Sequence, residues 1–148
     1  MSTVKKFKKA LSMHCKDGTL KRGNRNLFSL VDNATLEPLC GLYVKEATRR
    51  LGSQGYFWGL NKNQLHSLIR MTCPRWVVLL FGSQEQGFVA RGEEVNRLAD
   101  SGVWSPQRSK HGRKIPTEYK IKENNLPREF WKSQNFSEIF ETMGLLKA

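Results

Sequence analysis

The stretch Trp76-Val77-Val78-Leu79-Leu80-Phe81-Gly82 is almost continuously apolar, and Gly87-Phe88-Val89-Ala90 follows it after the polar residues 83–86. An apolar run of this length without polar alternation is typical of a strand that is buried on both faces. The short polar segment between the two runs predicts a turn that pairs them as a hairpin. We therefore expect this hairpin to lie in the core of the protein.

Short elements of both kinds are predicted around the hairpin. The aromatic run 55–60 predicts a strand, and Asn61 followed three residues later by Gln64 resembles a capping box that opens a helix. The apolar pattern and the turn residues predict helices over about 4–14, 35–51 and 93–99, strands over 27–31 and 117–121, loops over 21–26 and 105–114, and one or two short helices near the carboxyl terminus. This order predicts an α+β fold, built on a twisted, mostly antiparallel sheet or an open β-pseudobarrel with short flanking helices.

Length and the amino terminus narrow the class of protein. A chain of 148 residues is close to the usual size of one domain, so we expect residues 1–148 to form a single domain whose segment 1–25 is basic. Lysines follow Met1 without the apolar core of a secretory signal, and no apolar run approaches the roughly 18–20 residues of a membrane span. These features predict a cytoplasmic protein.

The three cysteines argue against a disulfide framework. Cys15, Cys40 and Cys73 are odd in number, far apart and without a C-x-x-C pair, which is also unlike a common zinc module. We expect buried free thiols. A four-ligand metal site that adds His14 to the three cysteines is the alternative.

The charge of the chain is concentrated in two segments. The formal net charge is +12, of which residues 1–25 carry +7 and residues 105–122 carry +5, while the remainder is close to neutral. Dense clusters of lysine and arginine attract polyanions, and each neutralised phosphate releases counterions. The distribution therefore favours a folded body that presents two nucleic-acid-binding segments.

Both basic segments contain side chains suited to DNA. Arginine reads guanine, glutamine reads adenine, and lysine suits phosphates. We expect the first segment to contact phosphates and the loop 105–114 to contact the backbone or base edges. The candidate residues are Lys21, Arg22, Arg25, Gln107, Arg108, Lys110, Arg113 and Lys114. A solvated loop whose charge serves solubility is the alternative for residues 105–114.

A metal-dependent nuclease is a second hypothesis. Glu118-Tyr119-Lys120 is an E-x-K triplet on a predicted strand, where alternation places both charged side chains on one face. With Asp100, such residues resemble the Mg²⁺-binding acids and the lysine of PD-(D/E)XK nucleases. Against this, Asp100 is predicted to end a helix, whereas the acid of that family usually lies on a strand paired with the E-x-K strand.

Other chemistry has little support in the sequence. Gly52, Gly55 and Gly59 do not have the spacing of a G-x-G-x-x-G loop, and none of the three histidines lies in a motif with a nucleophile. The run Tyr56-Phe57-Trp58 can stack on bases, but such a run is more often strand core.

Residues 55–122 resemble the B3-like DNA-binding domains of bacterial restriction endonucleases. The features that carry the resemblance are the aromatic strand and its following helix (Gly55-Tyr56-Phe57-Trp58-Gly59-Leu60-Asn61-Lys62), the strand Val77-Val78-Leu79-Leu80-Phe81-Gly82, the helix 93–99 and the strand Glu118-Tyr119-Lys120-Ile121. The resemblance implies an open β-pseudobarrel that grips the major groove with two arms. It covers under half of the chain, and the basic amino-terminal segment has no counterpart in the family pattern.

The sequence therefore favours a non-catalytic module that binds duplex DNA, without metal or cofactor, in a restriction or mobile-element system. The alternatives are a Mg²⁺-dependent PD-(D/E)XK-type nuclease and an RNA-binding or ribosome-associated protein. Base or methylation specificity and oligomeric state stay open at this stage.

Overall fold

The computed structural model describes residues 2–47, 49–50, 55–81, 85–104, 106–108, 111–112 and 114–145, with the backbone alone for 49–50, 106–108 and 114–117. Within these residues the strands are β1 (Gly18–Arg22), β2 (Leu27–Asp32), β3 (Pro38–Glu46), β4 (Arg49–Arg50), β5 (Tyr56–Asn61), β6 (Arg75–Leu80), β7 (Gly87–Arg91), β8 (Pro106–Arg108), β9 (Lys114–Lys122) and β10 (Trp131–Ser133). The helices are α1 (Thr3–His14), α2 (Lys62–Ile69), α3 (Gly92–Asp100) and α4 (Phe136–Thr142), with a 3₁₀ turn over Glu123–Asn125.

Sheet A forms the centre of the fold. Among the described residues it has six strands in the order β1-β2-β3-β6-β7-β10. The pair β3–β6 is parallel, with Gly41 opposite Arg75 and Glu46 opposite Leu80, and every other pair is antiparallel. The sheet is thus mixed but mostly antiparallel, and the predicted α+β class is confirmed.

The predicted hairpin occupies an interior position of sheet A. Strand β6 has β3 on one side and β7 on the other, and its residues from Trp76 to Leu80 are all buried. Val78 and Leu80 face one hydrophobic cluster, whereas Val77 and Leu79 face another. The prediction of a strand buried on both faces is confirmed.

Helices α1 and α4 cover one face of sheet A. Phe7 and Leu11 of α1 pack with Phe136, Ile139 and Phe140 of the α4 helix in the same cluster as the alternate side chains of β2, β3 and β6. The rings of Phe7 and Phe136 meet edge to face, with centroids 5.4 Å apart. This packing fixes the basic helix α1 to the body of the protein.

Helices α2 and α3 and a second sheet cover the other face. Sheet B has the order β4-β5-β9-β8 within the described residues, and neither sheet closes there into a barrel. Trp58 is fully buried, and its indole Nε1 donates to the carbonyl of Leu80 at 2.9 Å. This hydrogen bond ties sheet B to the end of β6, and the core interpretation of the aromatic run is confirmed for Trp58.

Segment 35–51 was wrongly predicted as a helix. Its apolar spacing fits a helical face, but the segment contains β3, which lies between β2 and β6. A strand buried on both faces is apolar at every position, so it matches helical spacing by chance. Residues 48 and 51 of that prediction lie outside the described part.

Two predicted loops contain strands. Residues 21 and 22 belong to β1 at the edge of sheet A, and β8 and the start of β9 occupy most of the described part of 105–114. Charged edge strands show no apolar alternation, so their sequences are indistinguishable from those of exposed loops. Residues 105, 109, 110 and 113, and residues 82–84 at the predicted turn, lie outside the described residues.

Candidate nucleic-acid interface

A small polar pocket lies where the first basic segment meets sheet B. We call it the Arg25–Lys45 pocket; its volume is about 150 Å³. It is lined by Arg25, Asn26, Lys45, Gly59, Asn61, Gln64 and Glu118. Arg25 ends one basic segment and Glu118 lies within the other, so the fold brings the two segments together at this point.

The turn between β1 and β2 places Arg25 at the pocket. The peptide N–H of Val44 donates to the carbonyl of Asn26 at 3.1 Å, which extends the β2–β3 pairing beyond Leu27 and Tyr43. Arg25 has a φ of 54°, in the left-handed region that residues other than glycine rarely adopt. The backbone thus holds an exposed arginine in an unfavourable conformation beside Lys45.

Tyr43 positions the start of α2 at the pocket. The peptide N–H of Asn61 donates to the Tyr43 hydroxyl at 2.9 Å, and the Asn61 side chain accepts from the peptide N–H of Gln64 at 3.1 Å. The predicted cap of α2 by Asn61 is confirmed. Burial raises the pKa of Tyr43 to about 12, so the hydroxyl stays neutral in the physiological range. Asn61 and Gln64 both line the pocket, so the amino-terminal turn of α2 and its partial positive charge face it.

Lys45 is a half-buried ammonium at the end of β3. It has no ion pair within 4 Å in the part of the chain that the structure describes. Burial lowers the pKa of Lys45 and Arg25 lowers it further, whereas Glu118 raises it. A buried cation without a close partner is costly, and a bound anion would offset that cost.

Gln64 adds a side-chain amide to the lining of the pocket. The residue is only 6% exposed, and its side chain makes no hydrogen bond with the described residues, although its peptide N–H is bonded to Asn61. The amide is not among the buried polar groups that lack a partner, so it is open to the pocket and can donate to a ligand there. The pocket thus contains two cations, a carboxylate and an amide.

The outer face of sheet B carries the E-x-K triplet. Tyr119 and Ile121 belong to the core, so the alternating residues Glu118, Lys120 and Lys122 lie on the opposite face. They pair in register with Asn61, Gly59 and Phe57 of β5, and Lys120 Nζ lies 4.5 Å from the centre of the Phe57 ring. The predicted common face of Glu118 and Lys120 is confirmed, and it continues the pocket as a basic strip.

Strands β8 and β9 form a hairpin that extends past the pocket. Glu118 is opposite Asn61, the last residue of β5, so the part of β9 from Lys114 to Thr117 lies beyond the end of that strand. There β9 pairs with β8, with Lys114 opposite Arg108 and Ile115 opposite Gln107. The backbone of Gln107, Arg108 and Lys114 thus lies beyond the end of β5 at which Asn61 lines the pocket, whereas Lys110 and Arg113 lie outside the described residues.

Lys21 and Arg22 occupy opposite faces of sheet A. Arg22 is opposite Phe28, which faces α1, and Lys8 Nζ lies 4.7 Å from the centre of the Phe28 ring. Lys21 is opposite Ser29 and lies on the same face as Lys45. Of the three predicted residues in the first segment, Arg25 reaches the pocket, Lys21 shares its side of the sheet, and Arg22 faces away.

The structure does not assemble a metal site from the predicted residues. Asp100 ends α3 and forms an ion pair with Lys62 at 3.5 Å. In the described part of the chain no group of three or more histidine, cysteine or acidic side chains is placed to hold a metal ion. Cys15, Cys40 and Cys73 are buried free thiols, and burial raises the pKa of Cys40 to about 12.

Sequence reasoning missed Lys45 and Gln64. Lys45 lies in a segment that was predicted as a helix, and Gln64 was interpreted only as a member of the capping box that opens α2. A lysine that directly follows the apolar run Leu42-Tyr43-Val44 was the available signal, because a charged residue next to a buried run can itself be partly buried, which is informative.

Comparison of the chain with protein-family models, with curated proteins and with solved structures found no match. Among the described residues, no helix combines the length and apolar character that crossing a bilayer requires.

Proposed function

We propose that this protein is a non-catalytic module that binds duplex DNA through the end of the molecule that carries the Arg25–Lys45 pocket. The observation that carries the proposal is that each basic segment contributes a residue to that pocket: Arg25 from the first and, from the second, Glu118, which Lys120 and Lys122 follow on the same face of β9. Two clusters of charge about eighty residues apart in sequence thus become parts of one surface.

The surrounding groups support contact with a phosphate backbone. Lys120 and Lys122 lead away from the pocket along the outer face of β9, and the β8–β9 hairpin extends on its other side. Phosphate contacts from lysine, arginine and helix amino termini set the position of a protein on DNA. In this arrangement the pocket lies at the centre of the proposed DNA-binding surface, and the hairpin extends from it as an arm.

The hairpin is also the part suited to base edges. Gln107 and Arg108 are consecutive residues of β8, and a two-stranded ribbon can enter the major groove. A grip by two arms is what the resemblance to B3-like domains implies, with the β1–β2 turn as the second arm. That resemblance is also the ground for proposing a role in a restriction or mobile-element system.

The experiment that tests the proposal removes the charges of the hairpin. We expect simultaneous change of Arg108, Lys110, Arg113 and Lys114 to alanine to weaken duplex binding. The slope of log affinity against log salt should fall by about 0.9 for each phosphate that the variant no longer neutralises. Fluorescence anisotropy with a labelled duplex over a range of salt concentrations measures both quantities.

A matched control removes four charges elsewhere. Arg70, Arg91, Arg128 and Lys132 are exposed, and none of them lines the pocket. Their change to alanine should lower the affinity less and leave the slope close to that of the wild type. Equal effects of the two variants would show that only net charge matters and would contradict the proposal.

Competition distinguishes duplex DNA from RNA as the ligand. At about 150 mM salt, where affinities can be compared, we expect unlabelled duplex DNA to displace the labelled duplex at lower concentration than structured RNA does. The reverse order would replace the proposal with an RNA-binding function.

A further inference from the structure

The Arg25–Lys45 pocket is more enclosed, and is lined by more kinds of side chain, than contact with a duplex backbone requires. A backbone phosphodiester enters and leaves on both sides, and it needs only an open cationic surface. This pocket has walls from β3, β5, β9, the β1–β2 turn and the first turn of α2. Its shape suits a group that is attached at one end.

The unpaired side chains identify the charge of that group. Lys45 is half-buried without an ion pair in the described chain, Arg25 lies beside it, and the side-chain amide of Gln64 lines the same pocket without a hydrogen bond to the described residues. The amino-terminal turn of α2 points its partial positive charge to the same place. The two cations and the helix terminus favour an oxyanion, and the Gln64 amide can donate to one of its oxygens.

Glu118 restricts which oxyanion the pocket accepts. A carboxylate repels an anion that carries no proton, but it accepts a hydrogen bond from one that does. A phosphomonoester, whose second pKa is near 6, presents a P–OH group as its monoanion at about pH 6 and below, whereas a phosphodiester and sulfate have no proton to donate in this range. Glu118 thus favours a phosphate that is esterified once.

We propose that the Arg25–Lys45 pocket binds a phosphomonoester, with Arg25, Lys45 and Gln64 on the phosphate oxygens and Glu118 accepting from its P–OH. The terminal phosphate of a DNA strand is one source of this group, which rests on the proposed function, and a free phosphate or small phosphomonoester is the other. The two sources share one chemistry and are separated by the experiments below.

Calorimetric titration with inorganic phosphate and with sulfate tests the pocket without DNA. Because inorganic phosphate keeps a proton at neutral pH, we expect it to bind at least about tenfold more tightly than sulfate, as the loss of one hydrogen bond to a charged group implies. Lys45→Gln should reduce phosphate affinity by a similar factor, and Lys132→Gln, at the opposite edge of sheet A, should leave it unchanged. Equal affinity for phosphate and sulfate would overturn the proposal, as would a Lys45→Gln variant that binds phosphate normally.

Glu118→Gln provides a test in which the expected result is a gain of sulfate affinity, which an unfolded variant would not show. Removing the carboxylate removes its repulsion, so sulfate should bind this variant more tightly than it binds the wild type, and the preference for phosphate should shrink. A site that held a metal ion through Glu118 would show no gain in sulfate affinity. An unchanged preference for phosphate over sulfate in this variant would show that Glu118 does not select the anion, and would contradict its proposed role.

Duplexes that differ only at the 5′ end separate the two sources of phosphate. If the ligand is a strand terminus, a duplex with 5′-phosphates should at about pH 6, where the monoanion is populated, bind the wild type about tenfold more tightly than one with 5′-hydroxyls, and Lys45→Gln should abolish the difference. Selective phosphate binding without any duplex binding would support the pocket and contradict the proposed function. Duplex binding that ignores the 5′ end, in a protein that also fails to prefer phosphate, would support the function and overturn the pocket.

Discussion

Arg25 combines a cationic side chain with a backbone conformation that is unfavourable for arginine. Its φ of 54° costs on the order of 1 kcal/mol relative to ordinary backbone regions. Asparagine adopts this region more readily, because its short side chain bonds locally. Under the proposed function, the arginine at this position contributes to binding rather than to stability.

The substitution Arg25→Asn relieves the backbone strain and removes one positive charge. The free energy of unfolding should stay constant or rise by up to about 1 kcal/mol, because the strain is relieved. Duplex affinity should fall, with a decrease in salt slope of about 0.9, because the variant neutralises one phosphate fewer. Denaturant unfolding and anisotropy titrations measure the two effects.

Arg128→Asn is the control for this change, since Arg128 is also exposed and its replacement alters the net charge equally. It should leave the salt slope unchanged. A loss of stability above about 1 kcal/mol in Arg25→Asn would contradict the interpretation of strain, and an unchanged slope would remove Arg25 from the interface.

At the level of elements, β3 shows why sequence patterns can mislead. Gly41 lies within this strand, and a Cβ added there would overlap the sulfur of Met71 and approach Leu68. A glycine in a helix interior would instead be a weakness that alanine repairs by about 1 kcal/mol. A strand and a helix at this position thus predict opposite effects for one substitution.

We therefore predict that Gly41→Ala destabilises the protein by about 1 kcal/mol, the lower end of the cost of overpacking, because the flexible, half-buried Met71 side chain can shift. The cost should be smaller in a Met71→Ala background, because the overlapping side chain is then absent. Chemical denaturation of the four variants of this cycle gives both values. Stabilisation by Gly41→Ala, or an equal cost in both backgrounds, would contradict the packing described here.

Helix α1 depends on an acid from another element. Its sequence has no acidic residue in the first turn, and Glu46 of β3 accepts from the peptide N–H groups of Thr3 at 2.7 Å and Val4 at 3.3 Å. This contact satisfies two donors that a helix leaves free at its start. It also holds a lysine-rich helix against sheet A.

Glu46→Ala should lower the free energy of unfolding by about 1–2 kcal/mol, which is typical for loss of a helix cap with its hydrogen bonds. Thermal or urea unfolding measures the change. Glu37→Ala removes an exposed acid without an ion pair in the described chain and should alter stability by less than about 0.5 kcal/mol. Equal effects of the two substitutions would show that Glu46 does not cap α1.

Elements with strong local signals could be predicted from the sequence. Strand β6, the Asn61 cap of α2 and helix α1 follow from patterns within a few residues, and all three are present. Strand β3 could not be predicted, because it lies between β2 and the distant strand β6, and this interior position makes its central residues apolar. Local spacing carries no information about such partners.

Part of the site could be predicted, because some of its residues also have signals within their own segment of sequence. Arg25 and the E-x-K face follow from local charge and strand alternation, whereas Lys45 and Gln64 join them only through the pairing of β2 with β3 and of β5 with β9. Burial of a polar side chain is a property of the assembled fold. The sequence alone therefore indicated basic segments but not the pocket between them.

For the molecule as a whole, the net charge of +12 gains a geometric meaning. Arg25 and Glu118 place parts of both basic segments at one pocket, while Arg22 and Lys8 lie on the face of sheet A that α1 covers. The central claim is that one surface, containing parts of both segments, binds one duplex.

The most direct test is the salt dependence of binding to one short duplex. The proteins compared are the wild type, a variant with Lys21 and Arg25 changed to alanine, the fourfold hairpin variant and the combination of the two. If both segments bind the same duplex, each variant should lower the salt slope by about 0.9 for every phosphate left unneutralised, and the combined decrease should equal the sum of the separate decreases. If the segments act separately, one of the first two variants will keep the slope of the wild type, and the account of a single interface is contradicted.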